Sequence, residues 1–195
     1  MRTEYTKEDY MIYLVRHGLD DENYIGGWSS IDLTSTGYKQ IEETSKFIVD
    51  KELVINKIIS SDVKRAVTTA SIIDEKLKLG IELSKDLREL DKGDYTGLLK
   101  DKLSSKEQTR INAFTIYDKY PNGESMLDLY KRMQEFLEKI KTLDNTLLVT
   151  HRGVINMFYY LLNDIEPSMD KGMFGVVHGS VHEMDINKRL IRRIY

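Results

Sequence analysis

Apolar residues along the chain recur in two patterns. Three apolar runs have the length of buried strands: residues 11–15, 57–60 and 146–150. Four segments have apolar positions at helical spacing: a helix capped by Thr34 or Thr36, a helix from Asp62 through Leu79 with Asp62 as its cap, Glu124 to Ile140, and Val154 to Leu162. Alternating strands and helices are typical of a parallel sheet covered on both faces. We therefore predict an α/β fold, a three-layer α/β/α sandwich with a mostly parallel sheet.

The remaining segments complete this prediction. Residues 180–186 and 189–195 are predicted to form a hairpin around Asn187 and Lys188, with one strand at the sheet edge. Residues 98–120 are polar with scattered apolar positions, so we expect short helices that form a small flap. A length of 195 residues favours one domain, 1–195.

Polar chemistry follows two of the predicted strands. Arg16, His17 and Gly18 come directly after the first run, and His151, Arg152 and Gly153 come after residues 146–150. In an open α/β sheet, ligands bind at the carboxyl ends of the strands, where parallel neighbours meet. One such histidine alone is more often a structural, hydrogen-bonded residue. Two of them, each followed by a glycine-bearing loop, indicate a site.

Two further side chains are candidates for this site, and each has a simpler interpretation. Arg65 lies in the first turn of a predicted helix, where the helix N-terminus also favours an anion, but it could be a solvated surface cation. Glu89 lies in a loop of glycine and charged residues and could exchange a proton. Its alternative is a surface carboxylate paired to Arg88 or Lys92.

Composition excludes several classes of function. The net charge of −3 and the pI near 5.9 provide no basic field for nucleic acid or an anionic membrane. Cysteine is absent, which excludes disulfides, thiolate nucleophiles and cysteine-bound metal. Residues 1–10 lack the apolar core of a secretory signal, and no apolar run approaches the roughly 20 residues of a membrane span. We expect a soluble cytoplasmic protein.

The candidate residues belong to a longer ordered series. Its members are Arg16-His17-Gly18, Leu33-Thr34 with Gly37 and Gln40, Ser60-Ser61-Asp62 with Arg65-Ala66 and Thr69-Ala70, Leu87-Arg88-Glu89 with Gly93 and Gly97, Asn122-Gly123-Glu124-Ser125, and Leu148-Val149-Thr150-His151. From about Tyr13 to about Asn156, this series resembles the motif set of the histidine phosphatase superfamily, the phosphoglycerate mutase-like fold. Departures from the pattern are Leu19-Asp20 after the first motif, Gly26-Gly27-Trp28-Ser29 in the next loop, and Arg152 after the second histidine.

The resemblance implies a phosphatase that hydrolyses phosphomonoesters through a phosphohistidine. His17 would be the nucleophile, Glu89 the proton donor and then the base, and Arg16, Arg65 and a protonated His151 would bind the phosphoryl group. Two arginines and a cationic histidine stabilise the negative charge of phosphoryl transfer, so no metal or other cofactor is expected. The partner would be a small phosphorylated substrate, with Trp28, Tyr24 and the flap on the substrate side.

Three alternatives stay open at this point. A mutase would return the phosphate to its substrate, although mutases of the family typically have a longer insertion between the Glu89 and Asn122 motifs and a closing C-terminal tail. A non-catalytic phospholigand-binding module would have no need of His17 or Glu89, and both are present. A metal cluster of His17, Asp20, Asp21 and Glu22 is disfavoured because consecutive loop residues cannot all face one ion.

Overall fold

The computed structural model describes residues 11–195. The predicted absence of a secretory signal in residues 1–10 lies outside the described residues. Six strands form one sheet: β1 (Met11–Arg16), β2 (Lys57–Ser61), β3 (Ile81–Ser84), β4 (Thr146–Thr150), β5 (Val181–Asp185) and β6 (Leu190–Arg193). Their order across the sheet is β3-β2-β4-β1-β5-β6. Strands β1 to β4 are mutually parallel, β5 pairs antiparallel with β1, and β6 pairs antiparallel with β5, so the mostly parallel sheet is confirmed.

Within the described residues, five α-helices accompany the sheet. They are α1 (Ser35–Asp50), α2 (Lys64–Leu77), α3 (Ser105–Asn112), α4 (Met126–Ile140) and α5 (Arg152–Leu162). Short 3₁₀ turns occupy Lys85–Leu87, Gly93–Tyr95 and Lys100–Lys102. None of the helices within residues 11–195 is long and apolar enough to cross a membrane.

The sheet separates two apolar cores, and β1 contributes to both. Ile12 and Leu14 face the core that includes side chains of α4 and α5, whereas Tyr13 and Val15 face the core that includes α1 and α2. Side chains of a strand alternate between faces, so a continuous apolar run is what a strand with both faces covered requires. The three-layer α/β/α prediction is confirmed.

The helix starts agree with the sequence at α1 and disagree at α2. Thr34 caps α1, and its hydroxyl accepts a hydrogen bond from the backbone N–H of Gly37 at 3.1 Å. The prediction that Asp62 caps α2 is wrong, because Val63 occupies the cap position without a side-chain bond. The Asp62 carboxylate instead accepts hydrogen bonds from the guanidinium of Arg88, at 2.6 Å from Nε. A charge-assisted, two-bond contact with arginine is stronger than a single bond to a backbone amide.

The two remaining segments are the C-terminal hairpin and residues 98–120. The C-terminal hairpin is present, with Asp185 paired to Leu190 and β6 at the sheet edge. Residues 98–120 contain the Lys100–Lys102 turn and α3, which starts with a capping box between Ser104 and Glu107. Leu103, Ile111 and Phe114 of this segment pack against the α4 and α5 core.

Candidate active site

The two strand-end histidines lie next to each other. Strands β1 and β4 are parallel neighbours with Arg16 opposite Thr150, so His17 and His151 leave the same edge of the sheet. Their ring centroids are 5.1 Å apart, and both side chains are buried. Sequence reasoning predicted this meeting from the strand ends alone, and the structure confirms it.

Hydrogen bonds at both ring nitrogens define the tautomer and protonation state of His17. Its Nδ1 lies 2.7 Å from the carbonyl oxygen of Gly18, so Nδ1 carries the proton and donates. Its Nε2 accepts from Nε of Arg65 at 3.1 Å. Burial, followed by the charge of Arg65, lowers the pKa of His17 well below its ordinary value. His17 is therefore neutral, with an unprotonated Nε2 facing the arginine.

His151 has the opposite tautomer. Nη2 of Arg65 lies 3.2 Å from its Nδ1, and because guanidinium only donates, Nδ1 is the acceptor. Nε2 therefore carries the proton and donates to Oγ of Ser61 at 2.9 Å. Burial and Arg65 lower the pKa of His151 well below its ordinary value, so the imidazole is neutral without substrate. This differs from the protonated His151 expected from the sequence, because desolvation and the adjacent cation both disfavour a second positive charge.

Arg65 connects the two histidines. It lies in the first turn of α2 with 2% of its surface exposed, so the interpretation as a surface cation is wrong. Besides both imidazoles, its Nη2 donates to the carbonyl oxygen of Gly27 at 2.8 Å, and its Nε is 3.4 Å from Oδ2 of Asp20. The guanidinium is thereby held at a single position beside His17.

Arg16 lies on the other side of the histidine pair. Its Nη1 donates to the carbonyl oxygen of Val176 at 2.9 Å, and its Nη2 donates to Nε2 of His178. Its Nε is buried and has no hydrogen-bond partner among the described residues. A buried donor without a partner costs free energy, and a phosphoryl oxygen is a suitable acceptor for it. Burial and Arg152 lower the pKa of Arg16 only to about 10, so it stays charged at neutral pH.

His178 lies beside His17, Arg16 and Asp20, and sequence reasoning did not select it. Its ring lies 5.5 Å from that of His17, and its Nε2 is 3.8 Å from Oδ1 of Asp20. Burial and Arg16 lower the pKa of His178 to about 3. No strand-end motif precedes it, since it lies in the loop before β5, and the only available signal was a histidine among glycines at Gly175 and Gly179.

This group of side chains is the part of the described chain where donor atoms could surround a metal ion. One donor atom from each of His17, Asp20 and His178 lies within 4.8 Å of the others. This set differs from the disfavoured alternative of a cluster of His17, Asp20, Asp21 and Glu22, because it contains His178 and neither Asp21 nor Glu22. Guanidinium groups of Arg65 and Arg16 already donate to Nε2 of His17 and to Nε2 of His178, and their charges oppose a cation.

Glu89 reaches this site from the loop after β3. Its Oε2 accepts from the backbone N–H of Gly153 at 3.1 Å, at the start of α5, and its Oε1 accepts from the N–H of Leu90 at 2.9 Å. A Cβ on Gly153 would lie 2.1 Å from Oε1, so only glycine leaves room for the carboxylate. The proposed pairing of Glu89 with Arg88 is wrong, because Arg88 binds Asp62.

Arg132 of α4 holds the backbone of residues 85–97, the segment after β3 that we call the Glu89 loop. Its guanidinium donates to the carbonyl oxygens of Asp86, Arg88 and Glu89 at 2.7, 2.9 and 3.2 Å. Glu124 pairs with it through both carboxylate oxygens at 3.0 Å. The sequence series included Glu124 but not Arg132, because a helical arginine carries no sign of the loop it will contact.

Tyr24 and Trp28 differ in position, although both were predicted to contact substrate. Tyr24 lines the cleft together with Arg16, His17, Arg65 and Glu89, and the interior volume of this cleft is about 150 Å³. Trp28 is 38% exposed and is not among the residues that line the cleft. Its indole N–H donates to the carbonyl oxygen of Glu89 at 2.7 Å, and Arg88 stacks on its ring. These contacts assign Trp28 to support of the Glu89 loop.

The site agrees with a known family. The sequence-family model of the histidine phosphatase superfamily (branch 1) matches residues 12–192. The chain belongs to this superfamily. All five residues that the resemblance assigned to the site, Arg16, His17, Arg65, Glu89 and His151, line or adjoin the one cleft.

Individual members of the superfamily resemble the chain over most of its length. It is 35% identical over 159 residues to phosphoglycerate mutase-like protein 4 of Arabidopsis thaliana, covering 76% of this chain and 69% of that protein. It is 30% identical over 164 residues to phosphatase PhoE of Bacillus subtilis (strain 168), covering 81% and 80%. It also spans 31% of the length of the longer 6-phosphofructo-2-kinase/fructose-2,6-bisphosphatase 3 of Bos taurus, at 32% identity over 149 residues.

A solved structure supports the same fold. The alpha-ribazole phosphatase from Shigella flexneri superposes with a TM-score of 0.80 at 22% identity, covering 94% of each chain. The family match and the phosphatase relative identify the chain as a phosphatase enzyme of this superfamily.

Proposed function

We propose that this histidine phosphatase hydrolyses phosphomonoesters through a phosphohistidine formed on His17. The observation that carries the proposal is the neutral imidazole, with Nδ1–H bound to the carbonyl oxygen of Gly18 and Nε2 unprotonated. An unprotonated nitrogen can attack phosphorus in line while the P–O bond to the alcohol breaks. The phosphoryl group is thereby transferred to Nε2, and the alcohol leaves.

The charge that develops on the phosphoryl oxygens would be stabilised by Arg16, Arg65 and His151. The two guanidinium groups provide donors beside His17, among them Nε of Arg16, which has no hydrogen-bond partner within residues 11–195. Arg65 now donates to His17 and His151, and phosphoryl oxygens can replace these acceptors as the substrate enters. The dianion would favour protonation of His151, since an adjacent negative charge raises the pKa of an imidazole.

Glu89 would move the protons. In the first step its carboxyl group gives a proton to the leaving alkoxide, and in the second step the carboxylate takes a proton from the attacking water. Its position above the start of α5, held by the Gly153 N–H, supports this role.

Trapping the intermediate tests the assignment of His17. Rapid acid-free quenching with a ³²P-labelled phosphomonoester should yield a base-stable, acid-labile phosphoprotein, and His17→Ala should abolish it. A labelled protein that persists in His17→Ala would overturn the assignment. His182→Gln is the matched control, because His182 binds Tyr159 and Ser180 away from the cleft.

Two substrates with different leaving groups test Glu89. Glu89→Gln should lower turnover of an alkyl phosphate far more than that of a nitrophenyl phosphate, whose leaving group needs no proton. Equal losses on both substrates would assign Glu89 to positioning.

We propose that the reaction needs no metal ion. The support is the pair of guanidinium groups that donate to Nε2 of His178 and of His17 and supply the positive charge. Turnover in excess chelator should equal turnover without it, and activity that disappears with chelator and returns with a divalent ion would contradict the proposal.

Hydrolysis is preferred here over the mutase reaction. Only a short segment with the eight-residue α3 separates the Glu89 loop from Pro121, where mutases typically carry a longer insertion that helps to exclude water. With 3-phosphoglycerate and a trace of 2,3-bisphosphoglycerate, we expect free phosphate. Rapid formation of 2-phosphoglycerate without free phosphate would show that the protein is a mutase and not a phosphatase.

The remaining proposals concern the setting of the enzyme. We propose a small phosphorylated substrate, no nucleic-acid partner and a cytoplasmic location, supported by the net charge of −3 and the absence of cysteine. The single domain and the covering role of residues 98–120 are proposals of the same kind, supported by Lys100 and Tyr120, which line the cleft.

A further inference from the structure

A second group of cations lines the outer part of the cleft. Its members are Lys92, Lys100, Arg152 and Lys171, which we call the outer cations. They come from the Glu89 loop, the segment after it, the start of α5 and the loop after α5. Within residues 11–195 none of the four forms an ion pair, whereas Arg88 and Arg132 nearby are each paired with a carboxylate. The described part of the chain therefore supplies no paired carboxylate that would explain why these four cations lie together.

The outer cations lie close enough to repel one another. Burial, followed by the charge of Lys171, lowers the pKa of Lys92 to about 8. Burial and then Arg152 lower the pKa of Lys171. Cations brought together without counter-charge cost free energy, and an anion placed between them removes that cost.

Acidic side chains on the same rim do not cancel this charge. The cleft is lined by six basic and four acidic side chains, and Asp20 and Glu89 belong to its inner part. The other two acids are Glu22, which is exposed, and Asp170, whose Oδ1 accepts from the backbone N–H of Gly172 at 2.8 Å. The outer part thus keeps an excess of positive charge after Arg16 and Arg65 have been assigned to the phosphoryl group.

Asn156 adds an independent sign of a ligand at this place. It lines the cleft, only 4% of its surface is exposed, and its Oδ1 has no hydrogen-bond partner among the described residues. Its Nδ2 lies 3.4 Å from the carbonyl oxygen of Lys171, next to the outer cations. A buried amide oxygen without a donor is costly, and a substrate hydroxyl would satisfy it.

We propose that the organic part of the substrate carries a second anionic group, a carboxylate or a phosphate, which Lys92, Arg152 and Lys171 bind while Arg16 and Arg65 hold the transferred phosphoryl group. A hydroxyl between the two anions donates to Oδ1 of Asn156. This inference rests on the proposed phosphomonoester hydrolysis and names its substrate class. It also assigns a function to Arg152, one of the departures from the family pattern.

Three matched substrates test the proposal. Glycerol 3-phosphate has a neutral organic part, 3-phosphoglycerate replaces its terminal alcohol by a carboxylate, and glycerol 1,3-bisphosphate replaces it by a second phosphate. We expect kcat/KM to be about 10- to 100-fold higher for at least one of the two doubly anionic substrates, the range for charge-assisted contacts. The one that exceeds the other identifies the second group as carboxylate or phosphate. Equal or higher kcat/KM for glycerol 3-phosphate would overturn the proposal.

Substitution of the outer cations separates this site from general electrostatic attraction. Lys171→Met and Lys92→Met should each lower the ratio of kcat/KM, doubly anionic over neutral substrate, about tenfold. Lys46→Met removes an equal charge from the exposed face of α1 and should leave the ratio unchanged. If the kcat/KM ratio is the same in Lys171→Met, Lys92→Met and Lys46→Met, the preference for doubly anionic substrates comes from the net charge of the protein. That result would refute the second anionic site.

Failure of this inference is distinguishable from failure of the proposed function. Nitrophenyl phosphate hydrolysis that depends on His17, without discrimination among the three substrates, would refute the second anionic site and leave the phosphatase proposal intact. Should the protein hydrolyse none of these esters, calorimetric titration of His17→Ala protein with the same three compounds still measures the preference. Equal dissociation constants there would refute the second site independently.

Discussion

At the scale of single residues, the site is organised by one guanidinium group. Arg65 donates to Nε2 of His17 and to Nδ1 of His151, which gives the two histidines opposite tautomers. Asp20 lies 3.4 Å from the same guanidinium, in the cleft that we propose receives the phosphoryl group. A carboxylate in this place competes with the substrate for Arg65 and repels its charge.

Removal of the Asp20 charge should therefore tighten anion binding. We expect Asp20→Asn to lower the inhibition constants of vanadate and inorganic phosphate about three- to tenfold, from the loss of one short-range like-charge interaction. Asp21→Asn, whose carboxylate accepts from the backbone N–H of Asn23, is the matched control and should change neither constant. Weaker inhibition in Asp20→Asn would mean that Asp20 positions Arg65 instead of competing for it.

Gly153 allows a second residue-scale prediction. In Gly153→Ala the new methyl group would overlap Oε1 of Glu89, so the carboxylate must move away from the start of α5. We expect turnover of an alkyl phosphate to fall about 100-fold, the contribution of a positioned acid, with a smaller loss on nitrophenyl phosphate. Gly172→Ala has only a distant contact at 3.5 Å and should retain activity on both. Full alkyl phosphatase activity in Gly153→Ala would show that Glu89 is not needed at this position.

At the scale of elements, α4 carries the Glu89 loop. Arg132 reaches from the helix to three successive parts of the loop, and Glu124 fixes the guanidinium at 3.0 Å. Glu124 also accepts from the backbone N–H of Asp91 at 2.9 Å, so helix start and loop are joined twice. The Glu89 carboxylate is thus positioned by a helix whose own residues Met126 and Leu129 also line the cleft.

Loss of this connection should reduce both stability and activity. For Arg132→Met we expect the free energy of unfolding in urea to fall by about 2 kcal/mol, because three carbonyls and Glu124 lose a charged donor. Lower kcat on alkyl phosphates should accompany it. Lys131→Met changes an exposed neighbour on the same helix and serves as the control. Unchanged stability in Arg132→Met would show that the loop is held without the arginine.

At the scale of the whole molecule, the four histidines share one property. Burial lowers the pKa values of His17, His151, His178 and His182, the last to about 4. They are neutral in the folded protein, whereas the unfolded chain binds their protons below about pH 6.5. Stability should therefore fall as the pH drops below 6.5, by at most about 1.4 kcal/mol per pH unit for each histidine.

Urea unfolding at pH 7.5 and pH 5.5 measures this effect, in a range where ordinary carboxylates do not titrate. We expect the urea concentration at the unfolding midpoint to be lower at pH 5.5 than at pH 7.5. In His178→Asn the difference between the two midpoints should be smaller, because unfolding takes up one proton fewer. Equal midpoints at the two pH values would contradict the burial of the histidines as neutral groups.

The fold and much of the site were predictable from the sequence because their signals are local. Apolar runs at β1 and β4 end in a histidine, so the strand pattern alone placed His17 and His151 at one edge of a parallel sheet, and ordered motifs added Arg16, Arg65 and Glu89.

Tertiary structure decided what depends on distant partners. Asp62 pairs with Arg88 instead of capping α2, Trp28 supports the Glu89 loop instead of lining the cleft, and His178 enters the site from a loop more than 150 residues after His17. The neutral state of His151 also follows only from burial and the approach of Arg65. Local periodicity determines which backbone elements form, whereas the charge state and contacts of a side chain depend on which other elements are packed against it.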